Sequence, residues 1–339
     1  MTWLSISDHD DRRFSILGLG IDQQDAPVCG TRPDDLLTSG SIMFETRQSP
    51  DGRPQLLLGY KSIYPWLRSL TFQAIPGGGI ALVQVQGSDI THAAIQYEDS
   101  GRSDVLRITY SWDSAAKWGR LALEQPESNR TVTVPVPNPK PIAIEDLRNM
   151  MLGRGDQTFA KDVIFAALSN KVEPLGPMPS LLPSTPLATP WGYKPASHLQ
   201  RGDTVMTEGA GVVPVLQRVS RTVPARGSYA PIRLRAPYFG LQQDIIVAPD
   251  QRLVIDGPEV EYLFSKEAVL IPARHLVNGF AALRETSGQT IGRLRRQPVQ
   301  LASSVLAGED RNLMPEHGQP AHSVLKWFEA ITLASRRAA

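Results

Sequence analysis

The sequence predicts an all-β protein, mainly strands with a few short helices, divided into two β-rich domains. Three observations predict this. Short runs alternating apolar and polar residues recur through residues 40–135 and again after residue 180, which is the period of a half-buried strand. Clusters of Gly, Pro, Asn and Asp separate those runs at hairpin spacing. Two proline-rich stretches then divide the chain, four prolines in Pro135–Pro141 and five in Glu173–Pro186. Proline removes the amide donor that a ladder or a helix needs, so both stretches read as connectors.

The expected domains follow from these breaks. Residues 1–39 are an N-terminal extension, 40–135 a β-sandwich, 136–179 a proline-rich linker with short helices, 180–325 the second β-domain and 326–339 a C-terminal helix. In the sandwich, Ser41–Arg47, Leu70–Ile75 and Ile80–Gln86 are strands, the last two joined by Pro76-Gly77-Gly78-Gly79, a strong turn signal. Thr91–Tyr97, Val105–Trp112, Trp118–Gln125 and Thr131–Val136 complete the set. So many strands at this spacing predict a two-layer antiparallel architecture. The pair LRITYSWD and WGRLALE resembles the core strands of a concanavalin-like, laminin-G-like jelly roll, which implies sugar binding on a concave face. Trp66, Trp112 and Trp118 can stack on a pyranose ring or fill the core, and their placement beside Val and Leu favours the core.

In the linker, Ile144–Leu152 has helical spacing and Ala160–Ser169 reads as a second helical turn. In the second domain, Thr185–Thr189 is a weak strand. Arg201-Gly202-Asp203 turns into Thr204–Thr207, with Asp203 a structural turn residue. Val212–Val223 is a long β-branched strand. Asp244–Pro249 and Gln251–Ile255 are strands, with Asp256-Gly257 as a hairpin signal. Asp250 and Arg252 read as a solvated ion pair, and His198 as exposed. The tail, apolar at Leu325, Phe328, Ile331 and Leu333, reads as a capping helix.

Bulk properties narrow the partners. Lys+Arg number 35 against Asp+Glu 34, so no excess charge favours nucleic acid or an anionic membrane. A protein or a glycan is the expected partner. The single cysteine, Cys29, forbids an intrachain disulfide and a Cys-based zinc site. No stretch reaches the length of a membrane span. The N-terminal apolar run is short and interrupted by Asp8, Asp10 and Asp11, unlike a signal peptide. A cytoplasmic protein is therefore expected, although a signal-less export route is compatible with the sequence. No cofactor or metal is expected. Gly77–Gly79 sits in a hairpin rather than before a helix, no G-x-S-x-G elbow is present, and His317 and His322 lack metal spacing.

Three segments carry a further resemblance: SLLPSTPLATPWGYKPASHLQRGDTVMT (Ser180–Thr207), DIIVAPDQRLVI (Asp244–Ile255) and VLIPARHLVNG (Val269–Gly279). In this order they resemble the Hint (hedgehog/intein) domain in its bacterial branch. The resemblance implies a horseshoe-like β-fold and a self-cleaving chemistry. Its opening nucleophile position falls on Ser180, the His of the central motif on Gln251, and the Ser or Thr three residues before it on Ala248. Ser184 stands where the family has Gly. The nucleophile attacks the carbonyl just before it, and the His protonates the departing amide nitrogen. Gln251 cannot transfer a proton near neutral pH, and Ala248 has no hydroxyl. His275, within ARHLVNG, is a candidate substitute acid or a packing residue. The tail has no His-Asn pair, Asn278 and Asn312 both standing outside that context. The expected function is a degenerate, non-splicing Hint scaffold or binding module. The alternatives are a weak autoprocessing domain that uses Ser180 to cut after Pro179, and a carbohydrate-binding sandwich.

Overall fold

Alternation with period two sends side chains to opposite faces of a strand. In the strands Ser39–Arg47, Val105–Asp113 and Val163–Ser169 of the first half, both faces are largely buried. The computed structural model describes residues 3–19, 35–47, 54–97, 105–128, 130–176, 180–207, 211–285, 302–307 and 322–338. Cys29, Pro179, Asn312 and His317 lie outside the described residues. The chain divides into two units, Met1–Pro177 with Arg296–Pro298, and Met178–Arg295 with Val299–Ala339.

The first unit is a two-layer sandwich. Its strands are β1 (Trp3–Ser7), β2 (Arg12–Phe14), β3 (Leu36–Leu37), β4 (Ser39–Arg47), β5 (Gln55–Ser62), β6 (Arg68–Ile75), β7 (Gly79–Gln86), β8 (Asp89–Gln96), β9 (Val105–Asp113), β10 (Trp118–Gln125), β11 (Arg130–Pro135), β12 (Ile142–Ala143), β13 (Gln157–Phe159) and β14 (Val163–Ser169), with helix α1 (Ile144–Leu152) before β13. Seven strands pair in the order β11-β10-β9-β4-β14-β1-β2, and five in the order β13-β5-β6-β7-β8. Both sheets are antiparallel throughout.

The facing layers bury Ile42, Phe44, Ile108 and Tyr110 against Leu58, Leu70, Phe72 and Ile95. Phe72 meets Phe44 edge-on at 5.0 Å between centroids and Tyr110 at 6.3 Å, the geometry that aromatic quadrupoles favour. The other face of the larger sheet is polar and also buried. Arg107 bonds Glu45 at 3.0 Å, Ser41 bonds Ser111 at 2.8 Å, and Ser169 donates to Glu173 at 2.7 Å. Residues 171–176 bond to part of this face. The Glu173 N–H donates to Ser41 Oγ at 2.9 Å and the Gly176 N–H to Glu124 Oε1 at 2.8 Å. A proline-rich segment that cannot join a ladder thus finds its partners among side chains.

Four sequence expectations are corrected. Ala160–Ser169 is no helix: Val163–Ser169 is a strand between β4 and β1. An apolar run buried on both faces carries no period that separates helix from strand. Trp3–Ser7, in the expected extension, is a fully buried strand of the same sheet. The three tryptophans do not share a role. Trp112 is wholly buried, its Nε1 donating to Leu37 O at 3.2 Å. Trp66 and Trp118 are exposed, with the guanidiniums of Arg68 and Arg120 over their rings. Finally, Asp256-Gly257 makes no hairpin, as described below.

The second unit contains short strands: β15 (Pro186–Thr189), β16 (Gly192–Pro195), β17 (Thr204–Thr207), β18 (Gly211–Arg221), β19 (Ile232–Leu234), β20 (Ile245–Val247), β21 (Arg252–Asp256), β22 (Ala268–Pro272), β23 (Ala282–Arg284), β24 (Ala302–Ala307) and β25 (Ser323–Val324). Helices α2 (Pro258–Phe264) and α3 (Trp327–Ala338) accompany them. Gly257, at φ 114°, leads into α2 with Pro258 at its first position, where a missing N–H costs nothing. The strand β21 then pairs with β22 across that helix. The core gathers Ile232, Val247, Ile255, Val269, Ile271, Ala330 and Leu333. Asp203 is structural, as expected: it accepts from Lys194 at 2.6 Å and from the Gln200 N–H at 2.9 Å.

In the sandwich, the ion pair Arg68–Asp146 ties α1 to a sheet, with Nε–Oδ2 at 2.6 Å and Nη2–Oδ1 at 3.1 Å. Both partners are largely buried. Asp146→Ala removes the carboxylate and leaves the guanidinium desolvated, at a cost of roughly 3 kcal/mol. Asp89→Ala, which breaks the exposed pair with Lys140, costs about 1 kcal/mol or less. Urea unfolding of the two variants beside the parent chain checks the difference, and equal losses contradict it.

Candidate functional site

The proline-rich stretch ends at a short extended segment that finds its hydrogen bonds on β20. Leu181 bridges Val247 in antiparallel register. The Leu182 N–H donates to Ile246 O at 3.4 Å, and the Ala248 N–H to Ser180 O at 2.9 Å. A turn follows, closed by the Gln251 N–H on Ala248 O at 3.0 Å. The end of β22 returns to that turn: the Ala273 N–H donates to Gln251 O at 2.8 Å and the Arg274 N–H to Pro249 O at 3.0 Å. The main chain therefore brings together Ser180, Ala248, Gln251 and the short 3₁₀ turn Ala273–Leu276 that carries His275. Nearly a hundred residues separate these segments in sequence.

The side chains at this junction are held by structural bonds. Ser180 is almost fully buried, not a loop serine on the surface. Gln251 donates its Nε2 to Arg252 O at 3.1 Å. Ala248 presents a methyl group. His275 is half-buried, and its Nε2 accepts from Arg274 Nε at 3.2 Å. That bond fixes the tautomer with the proton on Nδ1, a buried atom with no hydrogen-bond partner among the described residues. Burial first, and then the Arg274 charge, lower the His275 pKa from 6.5 to about 4, against the opposing pull of Asp250. Near neutrality the ring is uncharged.

The expected ion pair between Asp250 and Arg252 is not formed. Asp250 pairs with Arg274, because the turn at Pro249 and the 3₁₀ turn are stitched together by their main chains. His198 is exposed, as expected. Two contributors went unrecognised in the sequence. Arg274 holds both Asp250 and His275. Asn278 accepts at its Oδ1 from the N–H groups of Phe280, Ala281 and Ala282 at 3.2, 2.9 and 3.2 Å. The Asn278-Gly279 pair, with Gly279 at φ 84°, was the available signal for the latter.

The match that decides the family lies over this junction: residues 179–292 fit the family model of the Hint domain. This segment is a Hint domain. Its three motif segments lie within the matched span, and its β-rich fold agrees with it. A comparison with curated proteins gives no match. Among solved structures, the LG1-3 region of the laminin alpha2 chain is similar at 10% identity, covering 76% of this chain and 37% of that one, with a TM-score of 0.26. The chain thus spans little more than a third of that structure's length. Scytalido-glutamic peptidase is similar at 8% identity, covering 62% of this chain and 92% of the other, with a TM-score of 0.20. The Eqolisin-family peptidase SCP-B is similar at 7% identity over the same shares, with a TM-score of 0.19. Among the described residues, no helix is long and apolar enough to cross a membrane.

The depressed His275 pKa sets a pH dependence for the Hint domain. In the unfolded chain this ring takes a proton near pH 6.5, but in the folded domain only near 4. Between those values the unfolded state binds more protons, so stability falls as pH drops from about 6.5 to about 4. His275→Gln removes this component of the slope. The ring carbon resonance of His275 followed by NMR is expected to titrate with a midpoint near 4, and a midpoint near 6.5 contradicts the environment described.

Proposed function

We propose that the Hint domain of this chain has lost self-cleavage and serves as a stable scaffold or binding module. One observation carries the reading. The residue at the proton-donor position, Gln251, has its amide committed to Arg252 O, beside an Ala248 that offers no hydroxyl. Amide nitrogen leaves only when it is protonated as it departs. Without an acid, a rate loss of roughly 10²–10⁴ is expected, and a serine hydroxyl in place of a thiolate lowers the rate further. His275 does not replace the acid, because its ring is neutral at pH 7 and its Nε2 already accepts from Arg274.

A second reading, weak autoprocessing from Ser180, draws on one feature: the serine is enclosed at the segment where the domain begins, beside Ala248. Intact mass separates the two. The purified chain is expected to hold a single mass of 37.2 kDa through a day in hydroxylamine, which cleaves esters and thioesters. Fragments cut at Ser180 overturn the scaffold reading. The combined variant Ser180→Cys, Ala248→Thr, Gln251→His returns the nucleophile, the hydroxyl and the acid to a main chain that still aligns them. Hydroxylamine-dependent cleavage is expected to appear in this variant, and its absence in a folded product means that the geometry has drifted too.

A further inference from the structure

The second unit contains a cavity of about 370 Å³ that no step of the family's chemistry uses. Its floor is apolar: Ile255 on β21, Ile271 on β22 and Leu333 on α3, each nearly inaccessible from outside. Its mouth is aromatic. Tyr238 and Phe280 are 44% and 43% exposed and stand edge to face at 5.9 Å between centroids. A wall is formed by Phe239, whose backbone lies in the left-handed region at φ 56° and ψ 25°. A bulky L-residue adopts that conformation only where its surroundings hold it there, and here it turns the ring onto the cavity. Two polar groups complete the lining, Glu259 from the first turn of α2 and Asn278. The three N–H bonds to Asn278 Oδ1 brace the chain at Phe280 and Ala281, so the rim is built before any ligand arrives.

We propose that this cavity binds a small, ring-bearing apolar molecule with one hydrogen-bond-donating or cationic end directed at Glu259. The volume falls in the range of sites for small organic ligands. An apolar floor offers water few partners, and an unfilled wall forfeits its dispersion contacts. An aromatic mouth suits a planar ring. A carboxylate accepts through several lone pairs, so an existing bond to Glu259 leaves room for a donor from the ligand. Glu259, the one carboxylate among the described lining residues, sets the sign: a donor or a cation is favoured over an anion. The proposal rests on the binding-module reading and names its ligand class.

The test uses the full chain and two probes, the neutral fluorophore N-phenyl-1-naphthylamine and the cation 1-naphthylmethylammonium. Saturable one-to-one binding of both is expected. Phe280→Ala, at the exposed rim, is expected to weaken both at least tenfold, and Ala281→Phe, which fills the cavity, to abolish both. Should Ala281→Phe fail to fold, Tyr238→Ala takes its place as the second rim variant. Glu259→Gln is expected to weaken the cation several-fold more than the neutral probe. No saturable binding, or binding that the rim and filling variants leave unchanged, overturns the site. An equal effect of Glu259→Gln on both probes overturns its polar end. The intact-mass result is separate: cleavage at Ser180 refutes the scaffold reading while the probe titrations still report on the cavity.

Discussion

The Hint domain is organised by main-chain hydrogen bonds that run from Ser180 through Ala248 and Gln251 to Ala273. Each joins an N–H to a C=O, so each is indifferent to the side chain at its position. A residue there can change without disturbing the ladder, provided that the new side chain fits the space. The register of these segments therefore tolerates Gln251 and Ala248 at the positions that the resemblance gives to a histidine and a hydroxyl-bearing residue. The converse also holds: geometry kept by the main chain says nothing about whether chemistry is kept.

The side chains that remain have adopted structural tasks consistent with that separation. Gln251 bonds the carbonyl of its own neighbour, and Arg274 gathers Asp250 and His275. An imidazole next to a guanidinium and partly out of water is held uncharged. The same arrangement that rigidifies the 3₁₀ turn thus withdraws its histidine from proton donation. Rigidity here and acidity there compete for one ring, and burial first, then the Arg274 charge, hold it uncharged.

The sequence made the strands legible wherever one signal dominated. Pro76 to Gly79 fixed a hairpin, and Gly77 and Gly78 adopt positive φ of 82° and 85°, as such a turn requires. It misled where two signals cancel. Val163–Ser169 is apolar on both faces and so lost its period. Trp3–Ser7 was too close to the terminus to look like a central strand. Asp256-Gly257 carries the composition of a hairpin, yet Pro258 and two glutamates just beyond it favour a helix start. The alternation in Ser41–Arg47 reads as core against solvent, but the polar positions face a second buried layer of paired charges and hydroxyls. Composition does not encode what will meet a face; here residues 171–176, counted as linker, bond to Ser41 and Glu124. At the junction, motif order picked out segments whose main chains meet at Ser180, Ala248 and Gln251, while the partner of Asp250 depended on a contact between turns distant in sequence.

The cavity and the junction at Ser180 and Gln251 share one element. The strand β22 delivers Ala273 and Arg274 to the Gln251 turn at its end, and Ile271 to the cavity floor just before it. Leu276, one residue after His275, lines the same cavity. Any ligand that packs against Leu276 therefore bears on the 3₁₀ turn whose other side chains hold Asp250 and His275. On the scaffold reading, the turn is under no demand to hold an imidazole at a reactive distance, and it can be fixed by packing instead. On that reading, loss of cleavage and retention of a preformed apolar site are compatible on the same few residues, since the first releases Arg274 and His275 and the second asks only that Ile271 and Leu276 stay buried.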